Sequence, residues 1–276
     1  MQNTKPIWFN QKVIPQQLKE KKFSIFVATP VHSEVSIHYT QACLEFQKQC
    51  IINGIKVTFQ LMKSSLVTQG RNLCVSGFME SPCTHLLFID SDIDFDAKSI
   101  FKMVQADKDV ISIPYPLKSI QWEKGFKKIK DNKIQSIKDL KSAFFQFPMK
   151  VKDHQNVEVE NGCMEVTHSP TGCMLIKRSV FEKMIEKYPE MEIKQQTIIN
   201  GEMQDRPYFY NFFDTLFEPV SKVYLGEDFA FCKRWKDIGG KCYAYVEDYI
   251  THIGEFPYKG RFADELIGYP SSDNIT

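Results

Sequence analysis

Two things are scarce in this chain of 276 residues: an excess of charge of either sign, and long apolar runs. Lys and Arg number 35 against 34 Asp and Glu, a formal net charge of +1, so no global field draws the chain toward nucleic acid or an anionic membrane. No stretch approaches the roughly 18 apolar residues that a membrane helix needs. The polar start Met-Gln-Asn-Thr-Lys-Pro leads into no signal-like hydrophobic region, so a soluble, cytoplasmic protein is expected. Among the eight cysteines there is no Cys-x-x-Cys pair, which removes the zinc knuckle and the dithiol redox site. Most cysteines sit in apolar surroundings, as Cys43 and Cys173 do, and free thiols in a reducing compartment are expected. Internal repeats and low-complexity tracts are lacking as well. What is present, 43% hydrophobic and 25% charged residues, is ordinary globular usage and suits one large α/β domain.

Residues 1–22 are polar, carry Pro6 and Pro15, and read as an irregular leader. An apolar run from Phe23 to Ala28 reads as a buried strand stopped by Thr29-Pro30. Residues 37–52 then carry Cys43, Leu44, Cys50 and Ile51 at helical spacing, closed by Asn53-Gly54. Strands over 55–61, 84–89 and 109–115 alternate with helices over 69–79 and 97–106. That alternation predicts a doubly wound, mostly parallel sheet with helices on both faces in a single domain. Ligands of such a sheet bind beyond the carboxyl ends of its strands. Residues 117–160 are Lys-rich and weakly periodic, and read as an inserted hairpin or loop; the Lys run over 124–141 reads as a solvated face. Further on come a strand over 173–176, a helix capped by Ser179 and ending near Tyr188, and a loop over 190–206. A helix over 228–238 stopped by Gly239-Gly240, a strand over 242–246, and a tail over 266–276 complete the chain.

The densest chemical signal is Leu86-Leu87-Phe88-Ile89-Asp90-Ser91-Asp92, where a buried strand delivers two carboxylates to the ligand edge. Hard oxygen donors placed in this way suit Mg²⁺ or Mn²⁺ bridging the phosphates of a nucleotide. A calcium loop fails on chemistry, because Phe95 and Phe101 stand where its glycine and bidentate glutamate belong. Asp96 fits a cap for the helix that follows.

With Asp90-x-Asp92, the downstream Gly226-Glu227-Asp228 and the late His252-x-Gly254 in this order, residues 23–265 resemble the GT-A, Rossmann-like nucleotide-sugar glycosyltransferases, of the family 2 type. The resemblance implies a metal-dependent enzyme using Mn²⁺ or Mg²⁺, a nucleotide-sugar donor (UDP-linked rather than GDP-linked) and a glycan or glycoconjugate acceptor. Asp92 would bind the metal, Asp90 the ribose or a metal-bound water beside Ser91, and His252 would be the third ligand or a strand-end core histidine. Asp228 would be the base of an inverting reaction and Glu227 an acceptor contact, although acids in a first helical turn also serve as plain caps. Thr29 and Pro30 stand where such enzymes hold the base of the nucleotide, and Arg71-Asn72 opens a helix suited to a diphosphate or a uracil edge. Lys259 is a candidate for neutralising the leaving diphosphate, and Thr171-Gly172 for close approach of the donor sugar. Lys118 and Trp122 are candidates for a cation and an aromatic plate at the donor or acceptor sugar, and half of the aromatic cluster 208–213 is expected in the core. Two competing functions are a sugar-phosphate nucleotidyltransferase, whose Gly-rich loop is missing at Thr29–Glu34, and a non-catalytic nucleotide-sugar-binding module.

Overall fold

The computed structural model describes residues 23–256 apart from 135, 153–156 and 200. The expected leader, the tail and Lys259 lie outside the described residues. In chain order the elements are β1 (Ser24–Val31), α1 (Ile37–Ile52), β2 (Lys56–Lys63), α2 (Val67–Glu80), β3 (His85–Ile89), β4 (Ile93–Asp94), α3 (Ala97–Ala106) and β5 (Val110–Ser112). Then follow α4 (Trp122–Lys130), α5 (Ile137–Ala143), β6 (Lys150–Val151), β7 (Cys163–His168), β8 (Cys173–Lys177) and α6 (Arg178–Lys187). After β9 (Thr197–Ile199), β10 (Glu202–Gln204), β11 (Leu216–Glu218) and β12 (Val223–Leu225) the chain ends its described part in α7 (Glu227–Asp237), β13 (Cys242–Tyr245) and β14 (Thr251–His252).

Eight strands form the central sheet in the order β2-β1-β3-β8-β5-β13-β7-β6. Strands β2, β1, β3, β5 and β13 run one way, and β8 and β7 run against them. Alternation along β1 splits the core in two: Phe26 and Ala28 face α2, α6 and α7, while Ile25 and Val27 face α1 and α3. Both faces are covered, so the strands read as continuous apolar runs. This is the three-layer α/β single domain that the alternation predicts.

The differences are instructive. Strand β1 does not stop at Thr29-Pro30 but pairs with β2 through Val31. Pairing with β3 ends at Ala28, so the missing N–H of Pro30 costs no ladder bond on that side. Helix α1 has its expected span, yet it buries Tyr39, Ala42, Phe46 and Cys50 and leaves Leu44 and Ile51 in solvent. The segment 117–160 is no hairpin but two helices and the edge strand β6. Helix α6 begins at Arg178 with Lys177 at its N-cap, so Ser179 lies inside it and caps nothing. The expected loop over 190–206 contains the hairpin β9–β10. Asp96 caps α3 as expected, accepting from the Lys98 N–H at 2.8 Å, and all eight cysteines are free.

Candidate active site

The end of β3 delivers Asp90 and Asp92 to the crevice, and each carboxylate meets a different cation. Asp90 N–H donates to Gly172 O at 3.0 Å, which fixes the turn against the start of β8. Its carboxylate accepts from Arg71 Nη2 at 3.0 and 3.3 Å. Arg71 Nε in turn reaches Glu227 Oε1 at 3.4 Å, so one guanidinium ties α2 to the first turn of α7. Arg71 is only 3% exposed and lies over the Phe88 ring. Burial works against its charge, but Asp90 and Glu227 outweigh that and push its pKa up. The residue read as a diphosphate contact is a clamp on two carboxylates. Its neighbour Asn72 is likewise taken up internally, donating to Asn211 Oδ1 at 3.0 Å and accepting from Phe213 N–H at 2.9 Å.

Asp92 is paired differently. Its backbone carbonyl accepts from Ile253 N–H at 2.8 Å, and the short antiparallel pair β4–β14 sets His252 opposite Ile93. His252 Nδ1 lies 2.9 Å from Pro116 O; a carbonyl can only accept, so the ring carries its proton on Nδ1. Nε2 therefore faces Asp92 Oδ2, 3.4 Å away. Lys118 Nζ sits on the same oxygen at 2.5 Å. Burial opposes ionisation of Asp92, but His252 and Lys118, both set against its carboxylate, prevail and hold its pKa down to about 2. Lys118 can lie there because Gly254 has no side chain: a Cβ on it would come within 2.7 Å of Lys118 Cδ.

Tyr115 joins the two groups. Its ring packs edge-on against His252 with centroids 4.8 Å apart, and its edge fills the space that a Cβ on Gly172 would need. The same absent Cβ would stand 2.9 Å from Asp90 Oδ2, so Gly172 is what lets Tyr115 and Asp90 approach the turn. Burial first, then the Asp90 charge, pushes the Tyr115 phenol up, with Glu227 and Asp228 adding to it. No motif singles this tyrosine out in the sequence; the signal is Pro114-Tyr115-Pro116, two prolines that hold the chain extended just beyond β5.

Asp228 lies in the first turn of α7 with its carboxylate accepting from Phe229 N–H at 2.7 Å. Burial, and then repulsion from Glu227, push its pKa up to about 6. Asp92, two residues from Asp90, is thus held ionised, while Asp228, next to the Glu227 that Arg71 ties to Asp90, is pushed up to about 6.

The remaining candidates scatter. Thr29 is fully buried and shares a hydrogen bond of 2.7 Å with the Tyr39 hydroxyl, and Pro30 lies within β1. Thr171 is buried at the turn before β8, whereas Ser91 gives its carbonyl to Ser36 N–H at 2.8 Å beside the start of α1. Trp122 stands exposed on α4 against Phe144 and does not line the cavity that Lys118 and His252 border. That cavity, about 1350 Å³, has walls from Leu117, Ile120, Phe145, Phe147 and Ile250. Of the aromatic cluster, Phe209, Phe212 and Phe213 are core, and Tyr208 is exposed. Among the described residues no three His, Cys, Asp or Glu side chains converge as a ready-made metal site, and no helix is long and apolar enough to cross a membrane.

Neither a family model nor a curated protein sequence matches the chain. Among solved structures it is similar to A197 from STIV, at 16% identity and a TM-score of 0.45 over 84% of this chain and 87% of that one. It is also similar to a UDP-glucose pyrophosphorylase complexed with UDP-glucose, at 8% identity and a TM-score of 0.39 over 82% and 91%. A glycosyltransferase involved in the glycosylation of the major capsid of PBCV-1 matches at 10% identity and a TM-score of 0.30 over 60% and 66%. These are distant likenesses of chain trace, and they assign no activity.

Proposed function

We propose that the chain is a metal-assisted glycosyltransferase that moves a sugar from a nucleotide-diphosphate sugar, UDP-linked rather than GDP-linked, to an acceptor hydroxyl. The observation that carries the reading is the Arg71 clamp that ties Asp90 of the Asp90-Ser91-Asp92 turn to Glu227 beside Asp228, with Asp92 held down to about 2 and Asp228 pushed up to about 6. Environments that drive two carboxyls apart in this way divide the roles of charge holder and base between them. A group titrating near 6 is ionised at neutral pH yet basic enough to take a hydroxyl proton. Asp228 accepts the acceptor's proton as the sugar–phosphate bond breaks, and the sugar carbon inverts. Glu227, oriented by Arg71, contacts the acceptor.

The donor set fits a divalent cation that keeps oxygen ligands from water and diphosphate. Asp92 and His252 would hold it, with Asp90 nearby. The proton on Nδ1 leaves the lone pair of Nε2, which faces Asp92 Oδ2 at 3.4 Å, to ligate a cation, and the bond to Pro116 is the kind of outer contact that orients a ligating histidine. When bound, such an ion stabilises the charge that builds on the leaving diphosphate. Lys118 brings a second cation to the same place, and with His252 it borders the apolar cavity.

The test is hydrolysis of a panel of UDP- and GDP-sugars with and without Mn²⁺, in the wild type and in Asp92→Ala. Mn²⁺-dependent release of UDP that Asp92→Ala abolishes, with the fold retained and melting lowered only by the loss of its contacts to Lys118 and His252, is expected. Turnover undiminished in Asp92→Ala would sink the assignment. Release of pyrophosphate from UTP and a sugar 1-phosphate would mark a nucleotidyltransferase.

A further inference from the structure

Helix α4 lies outside the crevice and has two unlike sides. Toward the protein, Gly125 is buried flat against the Phe144 ring, Gln121 N–H donates to Phe144 O at 2.8 Å, and Lys124 Nζ reaches Phe145 O at 2.9 Å. Those contacts seat the helix. Beside that seat Trp122, its ring edge-on to Phe144 at 5.5 Å, begins a stripe with Phe126 and Ile129, and the three are 63%, 56% and 40% exposed. The neighbouring α5 adds Ile137 and Leu140, also exposed. Between 124 and 133 the chain carries five lysines against one acid, Asp131, and Lys127, Lys130 and Lys133 stand in solvent. Lys130 covers the Phe126 ring at 4.9 Å, so cation and aromatic share one surface.

An exposed apolar stripe bearing a tryptophan and flanked by lysines is the pattern of a helix that lies in a lipid–water interface. We propose that α4, with the start of α5, docks the protein onto an anionic lipid surface. Trp122, Phe126 and Ile129 enter the acyl boundary while Lys127, Lys130 and Lys133 meet the headgroup phosphates. Charge favours lipid over a second copy of the chain, because a two-fold contact through this face would set the lysine patch against itself. The attraction is local, since the chain as a whole carries a net charge of only +1.

The experiment is co-sedimentation of the full chain with vesicles of phosphatidylcholine, alone or mixed with phosphatidylglycerol, at rising salt. Partitioning into the mixed vesicles that weakens with salt is expected. Phe126→Ser/Ile129→Ser and, separately, Lys127→Glu/Lys130→Glu are each expected to lower it about tenfold or more, with thermal melting close to wild type. Wild-type protein that prefers neither vesicle, or variants that partition as the wild type does, would overturn the proposal. So would a dimer in solution that Phe126→Ser/Ile129→Ser dissolves, which would give this face to a second copy.

Discussion

Asp228 concentrates the tension between stability and chemistry in one carboxyl. Its pKa is raised to about 6 by burial and by Glu227, so the folded state binds its proton more tightly than the unfolded chain does. The stabilisation from that proton is complete below the unfolded value and is lost as pH rises through about 6. Asp228→Asn, which cannot ionise, is therefore expected to be more stable than the wild type above that pH, by on the order of 1–2 kcal/mol, and about equal to it near pH 4. Paired thermal melts at the two ends of this range read the difference. The same substitution is expected to lower sugar transfer by a factor on the order of 10²–10⁴, leaving donor affinity nearly unchanged. The wild-type pH–rate profile should carry an acid limb near 6. A variant both more stable and fully active would move the base elsewhere, and comparison with Glu227→Gln would show whether to its neighbour.

Among elements, α2 depends on a residue far away in sequence. Arg178, which opens α6, donates through Nε to Cys83 O at 2.8 Å, through Nη1 to Met79 O at 3.2 Å, and through Nη2 to Phe78 O at 2.9 Å and Ser81 O at 2.5 Å. A cation on the last carbonyls of a helix satisfies orphan acceptors and complements the dipole. Its guanidinium also lies over the Phe78 ring at 4.6 Å. Arg178→Met keeps the length and loses every bond, and is expected to cost about 2–4 kcal/mol, measured by urea unfolding. Since α2 carries Arg71, the Asp90–Glu227 clamp should loosen with it, and transfer should fall more than the loss of folded protein alone explains. The sequence predicts the span of α2 well and is silent on this anchor, because the carbonyls and the arginine meet only across the fold.

For the molecule as a whole, the core on the α2–α6–α7 side reaches directly beneath the crevice. Phe213 stacks on Phe231 of α7 at 4.6 Å and meets Phe88 of β3 edge-on at 5.3 Å, and Arg71 rests on the other partner of that contact, the Phe88 ring. Phe213→Ala is expected to destabilise the protein by about 3–5 kcal/mol, read as a fall in denaturant midpoint. Under conditions where it remains folded, it should weaken transfer without changing the pH at which the acid limb falls. Phe213→Leu, which fills most of the space, should restore both.

Local regularities in the sequence were enough to determine the alternation of strands and helices from β1 to β5, the exact span of α3 with its Asp96 cap, the Gly54 and Gly239 stops, and the delivery of Asp90 and Asp92 by an apolar strand. These rest on periodicity and capping, which act within a few residues. Tertiary structure decided which side of α1 is buried, for Leu44 and Ile51 fit a helical stripe as well as Phe46 does until the sheet selects one. It decided that Arg71 clamps carboxylates, that Lys118 and His252 close on Asp92, and that Tyr115 stands between the two groups. The partners in these contacts lie 19 to 160 positions apart in the chain, and only the packing of β3, β5, α2, α7 and β14 at one edge of the sheet brings their charges within reach of each other.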